Sequence, residues 1–296
     1  MRYCLNLPCG GVCGDARTLA ELAVVAEESG WDGVFLEDYI VYQSRQDIPT
    51  YDPWVALAAM ALRTQRIRLG TMVTPLARRR PWKLAREAVT LDHLSGGRLT
   101  LCVGAGDSAD VSFTHLGEAA DIKQRATMLD EGLEVLAGLW SGEPFSYVGQ
   151  HYQVREVRFL PRPLQQPRIP IWVGGGYPNR GPVRRAARWD GACLYKAAAI
   201  GSAEDSGEGL TPDDVRALRR VVEEQRVASA PFDVMVGRPT SFDAVVGPGQ
   251  RGDEDAERAL TRAHAEAGAT WWQEWIPPGE PAVMRAAIAR GPRRID

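Results

Sequence analysis

Two kinds of segment alternate along the chain. Short apolar runs at 3–7, 33–36, 67–73, 99–103, 171–173, 192–195, 232–236 and 270–275 are rich in aliphatic, β-branched and aromatic residues and read as buried strands. Between them, apolar positions recur at helical spacing. Leu19, Leu22 and Ala26 form one such face, the run 55–62 a second, and Leu84, Ala88, Leu91 and Leu94 a third. Ile122, Arg125, Leu129, Leu133, Leu136 and Leu139 give a long fourth face. A start near Gly181-Pro182, the set Val215, Leu218 and Val222, a stretch around Leu260 and the run 282–289 complete the series. Helix starts are marked by Asp15, by Asp52 before Pro53, by Pro81 and by Thr211 before Pro212, because a polar cap and a proline at the first helical position both suit unsatisfied N–H groups. Gly96-Gly97 closes the third helix, since glycine adopts the left-handed closing conformation without steric penalty. Short strand-to-helix connections predict βαβ units and a parallel sheet. Eight strand–helix pairs without a separating linker predict one α/β domain over 1–296.

Three segments interrupt the alternation. Residues 107–120 are an insertion after the fourth strand. Phe145-Ser146-Tyr147 and Tyr152-Gln153-Val154 flank 148–151 as a hairpin before the fifth, followed by Pro161, Pro163, Pro167 and Pro170. The stretch 196–209 after the sixth strand is small, polar and patternless, the composition of a functional lid or a disordered loop. Several strands end in small residues: Gly70-Thr71, Gly104-Ala105-Gly106 and Gly174-Gly175-Gly176. Ligands of parallel α/β proteins bind at the carboxyl ends of strands, so these ends are read either as tight turns or as the floor for a flat ligand.

Charge narrows the partners. The net charge is −3 with both signs interspersed, which gives no electrostatic footprint for nucleic acid or an anionic membrane. No stretch approaches the roughly 20 apolar residues of a membrane span, and the N-terminus lacks a charged-then-apolar leader pattern, so a cytoplasmic protein with a small-molecule partner is expected. Five cysteines without framework spacing are expected to be reduced thiols, with Cys102 in the core and no metal site.

The run LGTMVTPLARRRPWKLAREAVTLDHLSGGRLTLCVGAG resembles the signature region of the bacterial luciferase-like monooxygenase family. GWDGVFLED at 30–38, FSYVGQHYQVREVRFLPRP at 145–163 and IPIWVGGG at 169–176 follow in the family's order. The resemblance implies a single-domain (β/α)8 TIM barrel with insertions after strands four and six and a hairpin before strand five. It also implies a flavin or deazaflavin bound at the carboxyl ends of the strands.

Carried onto this chain, the resemblance marks Asp38 and Tyr39 as catalytic candidates. Tyr39 stands where many family members have histidine, and a phenol is a poor base at neutral pH though a competent hydrogen-bond donor. Met72, Val73 and Thr74 fall where the family often carries a bulge with a non-proline cis peptide behind the flavin ring. Gly104, Gly106 and Asp107 are candidates for the ring's edge. Gly174, Gly175 and Gly176, with Tyr177 and Arg180, are read as an anion-binding turn for the cofactor phosphate, because successive glycine N–H groups ahead of a helix form a nest. Arg78-Arg79-Arg80 is either a solvated loop or a second contact for the cofactor tail, and Trp271, Trp272 and Trp275 are either core or a substrate wall.

The function expected from these residues is a monooxygenase that uses reduced FMN and oxygen on a small organic substrate, with a separate flavin reductase as a possible supplier. The alternatives are hydride transfer with the deazaflavin coenzyme F-420, a flavin-binding protein without turnover, and a metal-assisted TIM-barrel hydrolase. Alanine and leucine on more than one face of the second and third helices lead to the expectation of a homodimer.

Overall fold

The computed structural model describes residues 1–200, 206, 208–226, 231–237 and 253–295. Eleven strands are formed among them: β1 (Arg2–Leu7), β2 (Gly33–Leu36), β3 (Arg68–Thr71), β4 (Thr74–Pro75), β5 (Leu99–Gly104), β6 (Pro144–Val148), β7 (Gln153–Arg158), β8 (Ile171–Tyr177), β9 (Gly191–Lys196), β10 (Asp233–Gly237) and β11 (Trp271–Trp275). Every ladder in the main sheet is parallel, in the order β3-β2-β1-β11-β10-β9-β8-β5, and an additional β3–β5 pairing closes it into an eight-stranded barrel. Closure leaves the barrel no edge strand with unpaired backbone groups. Outside it, β6 and β7 form the expected antiparallel hairpin.

The helices are α1 (Ala16–Glu28), α2 (Pro53–Arg63), α3 (Pro81–Ser95), α4 (Val111–His115), α5 (Ile122–Trp140), α6 (Arg180–Ala187), α7 (Pro212–Gln225), α8 (Glu254–Glu266) and α9 (Pro281–Ala289). Their starts follow the sequence. Asp15 accepts from the N–H groups of Arg17 and Thr18, Asp52 from those of Trp54 and Val55, and Thr211 forms a reciprocal capping box with Asp214. Gly96 caps α3 at φ 68°, ψ 38°. Strand alternation sorts the core into two layers. Cys4, Phe35, Cys102, Trp172, Met235 and Trp271 point inward and fill the barrel, while the larger cluster lies between strands and helices.

Several expectations need correction. The third strand does not run through to Val73: β3 stops at Thr71, and Thr74–Pro75 resume pairing on β5 after a cis Met72–Val73 peptide. The glycines 174–176 are not a turn. They lie inside β8, paired with β9 from Trp172↔Gly191 through Tyr177↔Lys196. Leu94 is turned outward from α3 and is exposed. Trp271 and Trp272 are core, the first inside the barrel and the second beneath the helices, which leaves only Trp275 at the mouth. Of the lid expected at 196–209, residues 201–205 and 207 lie outside the described residues. No helix among the described residues is long and apolar enough to cross a membrane.

Candidate active site

The inward phase of each strand fixes what lies at the carboxyl end of the barrel. Two residues beyond Cys4, Phe35, Cys102, Trp172 and Trp271 stand Asn6, Glu37, Gly104, Gly174 and Gln273. Side-chain bulk is therefore distributed unequally around the mouth. β5 and β8 contribute glycine, whereas β11, β1 and β2, across the ring from them, contribute polar and aromatic groups.

The glycine side is organised by Val73. A Cβ at Gly104 would stand 2.9 Å from one Val73 methyl, and a Cβ at Gly174 would stand 2.9 Å from the other. Both glycines thus make room for a valine that the cis Met72–Val73 peptide turns over the barrel core. Met72 packs beside Val73 on the barrel core, and Gly176 lies further along β8, where a Cβ would meet the side chains of Ala197, Asn179 and Tyr195. Thr74 does not face this side of the mouth. Its hydroxyl bonds to Thr71 at 2.8 Å, donates to Asp38 Oδ2 at 2.8 Å and accepts from Trp54 Nε1 at 3.3 Å.

Opposite, Glu37 is 8% exposed. Its Oε1 accepts from Trp275 Nε1 at 3.2 Å, and its Oε2 has no partner among the described residues. Burial pushes its carboxyl up to about 7, because ionisation away from water is costly; the Tyr42 phenol and the Trp275 indole pull the other way but do not offset it. On the strand between, Asn6 pairs with Trp275 on one side and Phe35 on the other, and its Oδ1 is likewise buried without a partner. Two orphaned acceptors at one rim are an arrangement that a bound molecule with hydrogen-bond donors would satisfy.

Asp38 and Tyr39 separate from each other. Asp38 points into the protein, where both carboxylate oxygens accept from Arg79 at 2.9 Å, and Arg78 donates to its carbonyl at 2.5 Å. Arg78 also pairs with Asp110 at 2.7 Å. The Arg78–Arg80 segment is therefore a buried ion-pair network at its first two residues, and the reading of all three as a solvated loop or a tail contact is corrected; Arg80 alone is exposed. Tyr39 is half-buried and sits edge-on to Tyr42 at 5.5 Å. Burial raises its phenol above the usual range, so it offers a hydrogen bond and not a base.

The remaining candidates ring the mouth. Gly106, at φ 86°, lies against Phe113, and Asp107 is exposed, its carboxylate accepting from the Ala109 N–H at 2.9 Å. Gly175 faces away from the barrel toward Pro182, which a Cβ there would meet at 2.8 Å. The chain leaves β8 through a cis Tyr177–Pro178 peptide into α6, whose first residue, Arg180, is exposed. Sequence reasoning missed Glu37 and Asn6. The available signal was phase, since each continues the inward series of its strand by two residues.

Comparison with known proteins agrees with this architecture. The family model described as luciferase-like monooxygenase matches residues 8–294. An F420-dependent glucose-6-phosphate dehydrogenase of Nakamurella multipartita is 37% identical over 165 residues, 54% of this chain and 47% of that protein. The chain spans about half the length of the curated relatives it matches. Among solved structures, an F420-dependent secondary alcohol dehydrogenase in complex with an F420-acetone adduct superposes with a TM-score of 0.76 at 15% identity, covering 100% of this chain and 99% of its own. Monooxygenase RslO1 from Streptomyces bottropensis gives 0.70 at 20% identity, covering 97% and 96%. At these identities the structural matches establish the fold.

Proposed function

The chain belongs to the luciferase-like monooxygenase family, and from that premise we propose that it is an oxidoreductase that uses a deazaflavin to exchange a hydride with a small hydroxylated or carbonyl compound. The observation that carries this reading is the two-sided mouth. An apolar seat formed by Val73 against Gly104 and Gly174 faces a rim with two orphaned acceptors, Asn6 Oδ1 and Glu37 Oε2. A planar ring fits the first, and a substrate with a polar reacting centre fits the second.

The deazaflavin is preferred to FMN because several curated relatives are F420-dependent glucose-6-phosphate dehydrogenases, which reverses the order of preference drawn from sequence alone. When bound, the cofactor supplies two-electron hydride chemistry. The chain's part is to seat the ring on Val73, to hold its edge along Gly104 and Gly176, and to receive its phosphate near Tyr177 and the exposed Arg180 at the start of α6. Asp38 positions the loop above through Arg78 and Arg79. Tyr39 lends a neutral donor.

The test is to mix the protein with oxidised deazaflavin and a panel of secondary alcohols and sugar phosphates, following loss of the deazaflavin absorbance. Bleaching with at least one alcohol is expected. Oxygen consumption with reduced FMN, and no reaction with any deazaflavin and alcohol pair, would replace this reading with the monooxygenase one.

A further inference from the structure

We propose that Glu37 is the proton-exchanging residue of the mouth, its free Oε2 taking the hydroxyl proton of the bound alcohol as that alcohol is oxidised. This rests on the deazaflavin reading above. The substrate O–H breaks and its proton goes to Glu37 Oε2; the C–H on the same carbon breaks with its electron pair, which passes with the hydrogen to the oxidised deazaflavin; the C–O bond becomes C=O. In the reverse direction Glu37 returns the proton to the forming alkoxide.

Four observations converge on this residue. Its side chain follows the inward phase of Phe35 and so faces the mouth. Its Oε1 accepts from Trp275 Nε1 at 3.2 Å, the Tyr42 phenol lies beside the carboxyl, and Oε2 has no hydrogen-bond partner among the described residues. No cation pairs with it among the described residues. The phenols and the thiol beside it stay protonated near pH 7, since burial raises Tyr39 and Tyr42 and pushes the Cys9 thiol to about 12, while the adjacent Asp38 is paired with Arg78 and Arg79. A carboxyl in such surroundings, titrating at about 7, is matched to proton exchange at neutral pH. Asp38, the acid beside it, has both carboxylate oxygens engaged by Arg79 and Thr74 and so offers no free oxygen to a substrate.

The experiment combines a spectroscopic titration with kinetics on Glu37→Gln. In infrared spectra of the wild-type protein carrying 13C-labelled glutamate, a protonated-carboxyl band should disappear with a midpoint near pH 7, be absent from Glu37→Gln, and shift its midpoint when oxidised deazaflavin binds. With the alcohol that gives turnover, Glu37→Gln should lose about 100-fold or more in kcat while deazaflavin affinity changes by less than about threefold. Should Glu37→Gln fail to fold, Trp275→Phe serves instead: losing the indole donor should move the infrared midpoint upward. A midpoint at ordinary carboxylate pH, or unchanged kcat in a folded Glu37→Gln, overturns the proposal alone. Failure of the wild type to bind deazaflavin or to oxidise any alcohol overturns the functional reading and this inference with it.

Discussion

Replacing Glu37 with glutamine removes one titration from the folded barrel and keeps nearly the same shape. In the unfolded chain the carboxyl titrates at 4.5, whereas burial raises it to about 7 in the fold. Between those values the native state keeps a proton that the unfolded chain has released, so folding stability falls as the pH rises through this window. Below 4.5 both states are protonated and the group contributes nothing to the slope. Each pH unit is worth about 1.4 kcal/mol, so ionised Glu37 costs the fold about 3 kcal/mol above pH 7.5. Solvent screening is small because the side chain is buried. Glutamine cannot ionise, so the stability difference, variant minus wild type, should rise by about 3 kcal/mol from pH 4 to pH 8. Urea unfolding of both proteins at several pH values measures it, and the other titrating groups cancel in the difference. A difference that stays flat across that range would refute the assignment of a raised, unpaired carboxyl at this position.

Other outcomes follow from the packing. Gly104→Ala should destabilise by ~1–3 kcal/mol and weaken cofactor binding, since its Cβ would stand 2.9 Å from Val73, and adding Val73→Ala should recover part of the loss; thermal melts of the single and double variants decide it. Asp38→Ala should cost about 3 kcal/mol because it leaves Arg79 without its carboxylate, whereas Arg78 keeps Asp110 and the residue 38 carbonyl, and a cost below ~1 kcal/mol by denaturant titration would contradict that network. The outward face of α2 carries exposed Val55 and Leu62, with Trp82 exposed at the start of α3; we propose this surface as a homodimer contact, so Leu62→Glu should convert a dimer to a monomer in sedimentation, and a wild-type monomer at tens of micromolar would remove the proposal.

The barrel was legible because its signals are local and repeated. Strand runs, proline-initiated helices and the Asp15 and Asp52 caps each depend on a few adjacent residues. The triple glycine misled because glycine has low strand propensity, yet here the ladder to β9 overrides it. Arg78 and Arg79 read as a surface cluster, since nothing local announces that Asp38 and Asp110 converge on them from two other loops. Glu37 escaped for a related reason. A charged residue after an apolar strand looks like the first residue of a loop, and only the register with β1, where Leu7 pairs with Leu36, shows that the inward phase continues. The break at Met72–Val73 was reached through family likeness and not through pattern, for no periodicity marks a cis peptide.

The account rests most on the apolar seat over Val73 receiving a deazaflavin. Equilibrium titration of the purified protein with oxidised deazaflavin, followed by the cofactor's fluorescence and run in parallel with FMN, tests this directly. The account predicts saturable deazaflavin binding at micromolar concentration or tighter, weaker binding of FMN, and loss of the deazaflavin signal in Gly104→Ala and in Gly174→Ala. Saturable FMN binding with no response to deazaflavin, or deazaflavin binding that both glycine variants leave unchanged in folded protein, would contradict it.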